Sequence, residues 1–322
     1  YYLYYGNSSA TNPPATKSNV YVFWDGFESG DLSNWTLQID SVWSAASDQA
    51  HSGTYSLKAT GPIASTDKWI TANGINESNI LMEAYWRFND TAGLDACQGV
   101  RSSSSTPINQ YETNLEDDVP NGWNICKMIN GSWTELEANP AGQNPQINVW
   151  TKITTIITGT NMKMLRNDTQ LVPSSGWTNV GSELSSGTVG FRTWAIGTGD
   201  AWWIDDVKVR KYVDPEPTNF IGGEEANTEF SYRKPITIDY TKVTCISGVT
   251  EFPTLISLAG VAELKTTSNG GHVQSSSGYD IIFKDASGVK LDHEVEYYSG
   301  TSGDLVAWVR VPVISGTTNT AL

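Results

Sequence analysis

The chain has no long hydrophobic run, little basic charge and few histidines or methionines. No apolar stretch approaches the roughly 20 residues that a bilayer-spanning helix needs, and mean hydropathy is −0.32. Asp and Glu number 35 against 20 Lys and Arg, which gives a net charge of −15. This charge argues against nucleic acid and anionic membrane surfaces as partners, because both require basic patches.

Cysteine is also scarce, and the three present match no zinc-ligand spacing. Cys97 and Cys126 are candidates for a disulfide, which would leave Cys245, in the second segment, without a cysteine partner.

The motifs of several enzyme classes are missing as well. The chain lacks Gly-x-Ser-x-Gly, His-Glu-x-x-His and a phosphate-binding glycine loop. Glycosidases need two carboxylates about 5–9 Å apart across a cleft, and neither Glu294 with Glu296 nor the loop 116–118 has suitable spacing or strand context. His51, His272 and His293 are scattered. The sequence therefore predicts a protein without catalytic residues.

Glycosylation signals, in contrast, are frequent. Six asparagines begin Asn-x-Ser/Thr triplets: Asn7, Asn34, Asn76, Asn89, Asn130 and Asn167. A chain rich in Ser, Thr and Asn produces some such triplets by chance. Together with the low charged fraction of 17% and the abundant Trp and Tyr, they favour a glycosylated extracellular protein of the cell surface.

Two linkers divide the chain. Residues 8–19 and 213–228 are rich in Pro, Ser, Thr or Gly and show no apolar period. The segments between and after them, 20–212 and 229–322, consist of short runs of aromatic and β-branched residues separated by Gly, Asn, Asp and Ser. This pattern predicts two all-β domains, each a sandwich or barrel.

Three segments of residues 20–212 carry a resemblance: "DGFESGDLSNW" at 25–35, "HSGTYSLKA" at 51–59 and "WWIDDVKV" at 202–209. In this order they resemble carbohydrate-binding modules and concanavalin-like lectin or glucanase jelly rolls. The resemblance implies a jelly-roll β-sandwich whose first and last strands lie side by side.

The same resemblance implies a structural Ca²⁺ held by Glu28 and Asp206, with Asp25 or Asp205 as a further ligand. Calcium prefers six to eight oxygen ligands, many of them carboxylates. The alternative is that Asp205 and Asp206 are an inward and an outward acid on one strand, without a metal.

Sugar binding is a further expectation, because tryptophan rings stack on pyranose rings. Tryptophan also fills the cores of β-sandwiches, and Trp86 and Trp203 lie within strong strand patterns. Trp123 and Trp133 lie in "NGWNICKMINGSW", which is typical of a loop or hairpin, so these two are the candidate sugar-binding residues.

The last segment resembles a domain of unknown function that is widespread in large archaeal and bacterial surface proteins. The matching stretches are "YRKPITI", "FPTLISL", "GYDIIFKDASGVKLDHEVEYY" and "LVAWVRVPVISGTTNTAL", within residues 229–322. The family pattern continues into an aromatic strand that ends Tyr-Tyr-Gly-Asn. This chain has that ending at residues 1–7, so residues 229–322 are predicted to form a small β-sandwich that lacks its last strand.

Joining Leu322 to Tyr1 gives one alternating strand, with Ala321, Tyr1, Leu3 and Tyr5 on one face and Leu322, Tyr2 and Tyr4 on the other. Three arrangements fit this continuity: a tandem array, head-to-tail subunits that donate residues 1–6 to a neighbour, or closure of both ends within one chain. The first two are favoured, because the third requires the central domain to lie back against the last one.

Two functions follow from these expectations. In the first, the chain is a structural repeat of an extracellular filament or surface stalk, with identical units as its partners, since contacts that repeat without closing form filaments. In the second, it is a glycan-binding adhesin module.

Overall fold

The computed structural model describes residues 1–10, 17–38, 42–63, 66–90, 95–116, 122–138, 146–243 and 247–321. They form two compact units: a middle unit of Phe23–Tyr212, and a split unit made of Tyr1–Val22 and Val213–Leu322. Cys245 and Leu322 lie outside the described residues, as do residues 117 and 118 of the acidic loop.

The strands are numbered in chain order. The first seventeen are β1 Tyr2–Tyr5, β2 Phe23–Asp25, β3 Trp35–Leu37, β4 Trp43–Ala46, β5 Ser56–Thr60, β6 Lys68–Ala72, β7 Ile80–Phe88, β8 Asp95–Ser102, β9 Gln110–Glu116, β10 Trp123–Ile129, β11 Ser132–Ala138, β12 Thr151–Thr158, β13 Asn161–Arg166, β14 Thr169–Val172, β15 Thr178–Asn179, β16 Thr188–Ala195 and β17 Ala201–Lys211. The rest are β18 Thr218–Ile221, β19 Glu225–Asn227, β20 Ser231–Asp239, β21 Val249–Leu258, β22 Ile282–Lys284, β23 His293–Ser299, β24 Asp304–Ile314 and β25 Thr320–Ala321.

The helices that the structure describes are four single 3-10 turns: Lys17–Asn19, Tyr240–Lys242, Ala262–Leu264 and Thr267–Asn269. Within the described ranges, no helix has the length and hydropathy to cross a membrane. The predicted all-β fold class is confirmed.

The middle unit is a jelly-roll type β-sandwich of two antiparallel sheets. One sheet has seven strands in the order β11-β10-β9-β8-β16-β6-β3. The other has nine, in the order β14-β13-β12-β7-β17-β5-β4, with β15 beside β13 and β2 beside β17. As expected, the first strand of this unit, β2, pairs with the last, β17, with Val209 opposite Phe23.

Large aromatic side chains fill the space between these two sheets. Trp86 lies at the centre, with its ring 5.0 Å from Trp202 and 5.8 Å from Trp123. All three are fully buried. Rings at such distances and tilted angles add about 0.5–1.5 kcal/mol per pair to the burial of their surfaces. This aromatic core holds the seven-stranded sheet against the nine-stranded one. The outer face of the seven-stranded sheet takes no part in this packing.

The split unit is a smaller sandwich. Its larger sheet has the order β18-β20-β1-β22, with β19 and β25 also paired to β20, and its smaller sheet has the order β21-β24-β23. One hydrophobic core contains residues from both sheets, among them Leu3, Ile236, Phe252, Phe283 and Val309.

Strand β1 lies between two strands of its own chain, which corrects the expectation that it completes a neighbouring copy. It pairs with β20, with Leu3 opposite Lys234, and with β22, with Leu3 opposite Phe283. Tyr1, Leu3 and Tyr5 point into the core, while Tyr2 and Tyr4 pack on the other face of the sheet. The predicted alternation of residues 1–5 is thus observed, but the small sandwich does not lack its last strand.

The two ends of the chain share one edge of β20. Ala321 of β25 lies opposite Thr237, and the Ile236 N–H donates a hydrogen bond of 2.9 Å to the Tyr1 carbonyl. β18 covers the other edge of β20 at Thr237, so β25 and β1 follow one another along the same edge. The third arrangement, closure within one chain, is therefore the one observed.

A geometric reason makes this closure feasible. Because β2 and β17 are neighbours in the middle unit, the chain enters and leaves that unit at adjacent strands. Residues before Phe23 and residues after Tyr212 can then belong to one folded unit.

The C-terminal end of β1 is fixed by an aspartate. The N–H of Gly6 donates to Asp280 Oδ2 at 2.9 Å, and Asp280 also accepts from the Gln274 and Ser275 N–H groups. Gly6 has φ of +89°, and a side chain there would meet the Phe230 carbonyl at 2.8 Å. Glycine is therefore required where the strand ends.

Candidate functional site

A cleft of about 280 Å³ opens on the outer face of the seven-stranded sheet. Its lining includes two tryptophans, two aspartates, a methionine and an arginine: Trp133, Trp194, Asp67, Asp95, Met128 and Arg192. They come from strands that are distant in sequence but adjacent in the sheet.

A tight hairpin places Trp133 on this face. β10 and β11 pair with Ile129 opposite Ser132, so Asn130 and Gly131 form a two-residue loop, and both have positive φ. Asn-Gly is the favoured dipeptide for such a turn. Trp133 then lies opposite Met128, whose side chain also lines the cleft.

The second tryptophan comes from β16. Trp194 lies at a β-bulge between Thr193 and Ala195 of β16, and it lines the same cleft as Arg192. Trp133 is 40% exposed and Trp194 is 41% exposed, whereas the core tryptophans are fully buried. Two large rings are thus presented to solvent at one cleft.

Arg192 forms the floor of the cleft and is 1% exposed. Its Nε and Nη2 donate to the two carboxylate oxygens of Glu112 at 3.1 and 2.8 Å, and its Nη1 donates to Asp67 Oδ1 at 2.8 Å. Glu112 is fully buried and also accepts from Gln110 Nε2 at 2.6 Å. This two-bond arrangement of guanidinium and carboxylate is strong and holds both groups in one orientation.

Asp95 completes the charged group, with its Oδ1 3.8 Å from Arg192 Nη2. Burial raises the pKa of Asp95, and the positive charge of Arg192 opposes this rise. The side chains of Asp67 and Asp95 keep 26% and 20% exposure. These two carboxyl groups are therefore the charged hydrogen-bond acceptors that a ligand in the cleft can reach.

The structure places the two candidate sugar-binding tryptophans differently. Trp133 lies at the cleft, but Trp123 is fully buried against Trp86 and cannot contact a ligand. Sequence reasoning missed Asp67, Asp95, Arg192 and Trp194 as a group. The available signal was an arginine and a tryptophan together in "RTW", near the end of a predicted strand.

The proposed disulfide between Cys97 and Cys126 is wrong, since both thiols are free and buried. Cys97 lies opposite Asn114 of β9, and Cys126 lies opposite Glu112 of the same strand. With β9 between them, the two Cα atoms are about 10 Å apart, well beyond the 7 Å limit for a disulfide. Their Sγ atoms instead lie 3.0 Å from Asn114 and Asn124 side-chain oxygens.

The carboxylate oxygens of the four predicted calcium ligands are occupied by hydrogen bonds. Asp25 accepts from the Phe27 N–H and Trp35 Nε1, at 2.7 and 2.8 Å. Glu28 accepts from the Thr54 and Tyr55 N–H groups, and a side chain at Gly53 would meet its carboxyl carbon at 2.4 Å.

Asp205 and Asp206 both bind the loop that begins at His51. Asp205 Oδ2 accepts from the His51 N–H at 2.7 Å and from the Ser52 N–H at 3.1 Å. Asp206 contacts His51 Nδ1 at 2.7 Å and the Ser52 hydroxyl at 2.9 Å. Burial raises the pKa of Asp205 from 3.8 to about 7, and the charge of Asp206 adds to the rise.

Among the described residues, no group of three or more His, Cys, Asp or Glu is arranged to hold a metal. With N–H donors on the oxygens of Asp25, Glu28 and Asp205, the acids as arranged do not fit a calcium ion, which requires electron-pair donors around it. Calcium binding stays a prediction of the resemblance.

Four of the six candidate glycosylation asparagines are exposed, namely Asn34, Asn76, Asn130 and Asn167. Asn7 and Asn89 are half-buried. The amide of Asn89 is engaged on both sides, because its oxygen accepts from the Ala201 N–H and its nitrogen donates to the Gly199 carbonyl.

The residues considered for catalysis have structural partners. Glu294 is 3.4 Å from the Lys17 ammonium, and Glu296 accepts from Trp308 Nε1. His293 is buried with its ring nitrogens near the Leu291 and Ile281 carbonyls, and burial lowers its pKa. His272 contacts Glu224, which also accepts from the Tyr5 hydroxyl.

Comparisons with known proteins give likenesses of fold. No protein-family model and no curated protein matches the chain. Among solved structures, it is similar to a carbohydrate-binding module from Bacillus subtilis, at 16% identity and a TM-score of 0.43, over 55% of this chain and 96% of that one. A Bacillus subtilis protein with a galectin-like fold matches at 13% identity and a TM-score of 0.46, over 60% and 96%.

A third similar structure is the β-glucanase of Bacillus licheniformis, at 9% identity and a TM-score of 0.43, over 59% of this chain and 98% of the enzyme. At these identities and TM-scores, the likenesses support no conclusion beyond the β-sandwich class that the strands already show.

Proposed function

We propose that the middle unit is a glycan-binding module and that the cleft on its seven-stranded sheet is the binding site. The observation that carries this proposal is the pair of half-exposed rings, Trp133 and Trp194, beside the reachable carboxyl groups of Asp67 and Asp95. Flat rings stack on the apolar face of a pyranose, and carboxylates accept hydrogen bonds from its hydroxyl groups.

That the protein is not an enzyme stays a proposal from its sequence, which lacks the motifs of the common hydrolase classes. The exposed sequons support its assignment to the extracellular surface.

Glycan-array screening followed by calorimetry tests this function. Trp133→Ala and Trp194→Ala should each weaken binding of any captured glycan at least tenfold, about 1.4 kcal/mol, as expected for removal of a large ring from a contact surface. Trp177→Ala is the matched control, because Trp177 lies in the other sheet's cluster with Leu81 and Ile156. An array without any captured glycan, or equal affinity in all three variants, would refute the proposal.

A second proposal concerns concentrated samples, in which copies of the chain exchange residues 1–6 head to tail in place of the closure observed within one chain. The support is that β1 occupies a slot between β20 and β22 and continues the line of β25. Exchange of an identical element between copies reuses the same contacts. This arrangement would give the filament or surface stalk that the sequence pattern favours.

A disulfide can distinguish exchange from closure. Tyr4 lies opposite Arg233, and since the Tyr1–Ile236 pair is hydrogen-bonded, Tyr4–Arg233 is a non-hydrogen-bonded pair with Cα atoms about 4.5 Å apart. Tyr4→Cys with Arg233→Cys, oxidised in a concentrated sample, should give a ladder of multimers on a non-reducing gel if strands exchange. A cross-linked monomer alone would refute assembly by exchange. Each single cysteine variant is the control.

A further inference from the structure

The charged groups of the cleft also indicate which glycans it accepts. Arg192 is the one cation among its described lining residues. Its Nε, Nη1 and Nη2 all donate to Glu112 or Asp67, and its side chain is 1% exposed. Sites that recognise acidic ligands use an arginine whose guanidinium faces the ligand. Here the guanidinium is occupied by the protein's own carboxylates.

The groups that remain for a ligand are acceptors of negative or potentially negative charge. Asp67 and Asp95 keep about a quarter and a fifth of their side-chain surface exposed, and Glu112 lies directly behind Arg192. Three carboxyl groups thus surround a single guanidinium. A carboxylate or sulfate on a sugar would meet like charge at short distance in a partly desolvated cleft, where electrostatic interactions are stronger than in bulk water.

Neutral sugars face no such penalty. Their hydroxyl groups can donate hydrogen bonds to Asp67 and Asp95. Asp67 accepts from Arg192 through Oδ1, and the Oδ1 of Asp95 lies 3.8 Å from Arg192 Nη2. The Oδ2 atom of each carboxyl group is therefore not bonded to Arg192. Trp133 and Trp194 supply apolar surface in the same cleft. Attraction toward a neutral ligand and repulsion of an acidic one together produce specificity.

We propose that the cleft selects uncharged sugars and rejects uronic-acid and sulfated ones through the surplus of carboxyl groups around Arg192. This inference rests on the glycan-binding function proposed above. It assigns Asp67 and Asp95 as the residues that determine specificity.

Matched ligand pairs provide the test. We would titrate oligogalacturonate against its methyl ester, and glucuronic-acid-substituted xylan fragments against unsubstituted ones, so that each pair differs mainly in charge. In any pair that binds, the neutral member should bind at least tenfold more tightly. The titrations are repeated at about 0.05 M and about 0.5 M salt. High salt screens the long-range charge of the whole chain, so a preference that persists there is a short-range effect of the cleft.

Variants identify the residues responsible. Asp95→Asn keeps the size of the side chain and should reduce the preference for the neutral member severalfold. Asp168→Asn is the matched control. Asp168 is exposed at the turn between β13 and β14 of the other sheet, and its substitution removes the same charge far from the cleft. Melting curves of both variants verify that they are folded.

The outcomes separate the two proposals. Equal or tighter binding of the acidic members overturns the specificity inference and leaves glycan binding intact. The same change in preference for Asp95→Asn and Asp168→Asn also overturns it, because the effect would then come from overall charge. If neither member of any pair binds and the array is empty as well, the glycan-binding function fails, and the specificity inference fails with it.

Discussion

Replacing Leu3 by alanine tests whether β1 belongs to the core of its own chain. Leu3 is fully buried between β20 and β22, in the cluster that also contains Ile236 and Phe283. Leu→Ala at such a site costs the transfer free energy of the lost atoms plus that of the cavity, about 3 kcal/mol. For a unit of this size, 1 kcal/mol corresponds to roughly 4 °C, so we expect Tm of the split unit to fall by about 12 °C.

Differential scanning calorimetry of the full chain measures this change. The control is Leu255→Ala in β21 of the same unit, where the side chain is 36% exposed and the loss should be well under half as large. The transition of the middle unit, whose residues are Phe23–Tyr212, should keep its temperature in both variants.

Two results would refute the reasoning. Equal Tm shifts for Leu3→Ala and Leu255→Ala would mean that β1 is not packed in the core. A Tm of the split unit that rises with protein concentration would mean that the strand is supplied by another copy, because association makes stability depend on concentration.

Three further predictions concern the described side chains. Burial lowers the pKa of His293 below 6.5, so at lower pH the unfolded chain takes up a proton that the folded unit excludes. The split unit should therefore lose stability as pH falls below about 6.5. In urea unfolding curves, His293→Gln should remove this part of the pH dependence. Arg192→Met leaves Glu112 buried without its counter-charge and should cost about 3–5 kcal/mol, whereas Arg192→Met with Glu112→Gln should cost clearly less; equal losses would contradict the ion pair. Since N–H donors occupy Asp25, Glu28 and Asp205, addition of EDTA should leave Tm of the middle unit unchanged; a fall that Ca²⁺ alone reverses would instead support the metal site that the sequence resemblance implies.

The strands and their faces were predictable because side chains alternate with a period of two. Tyr1, Leu3 and Tyr5 could be assigned to one face without any structure, and they do share the core. The cleft was not predictable in the same way. Asp67 lies just before β6, Asp95 begins β8 and Arg192 lies in β16. These strands become neighbours only through the sheet order, which no local pattern encodes.

The two candidate tryptophans show how far local reasoning reaches. Trp133 lies opposite Met128 across the Asn130–Gly131 turn, so both stand on the outer face. Trp123 is five residues before Met128 on β10, an odd separation, and therefore points to the opposite face, where it packs on Trp86. Once the hairpin is located, this parity alone would have separated the core tryptophan from the cleft tryptophan.

The origin of the strand that closes the split unit is a different kind of problem. A strand that completes its own sheet and one that completes a neighbour's sheet have the same alternation, the same pairing partners and the same buried side chains. Which of the two sheets the strand completes depends on whether the chain enters and leaves the middle unit at adjacent positions. It does so because β2 and β17 are adjacent, with Asp25 opposite Val207, so the residues before β2 and those after β17 can belong to one folded unit. A change in the middle unit that separated these two strands should therefore favour exchange between copies, although it lies in neither of the segments that would exchange.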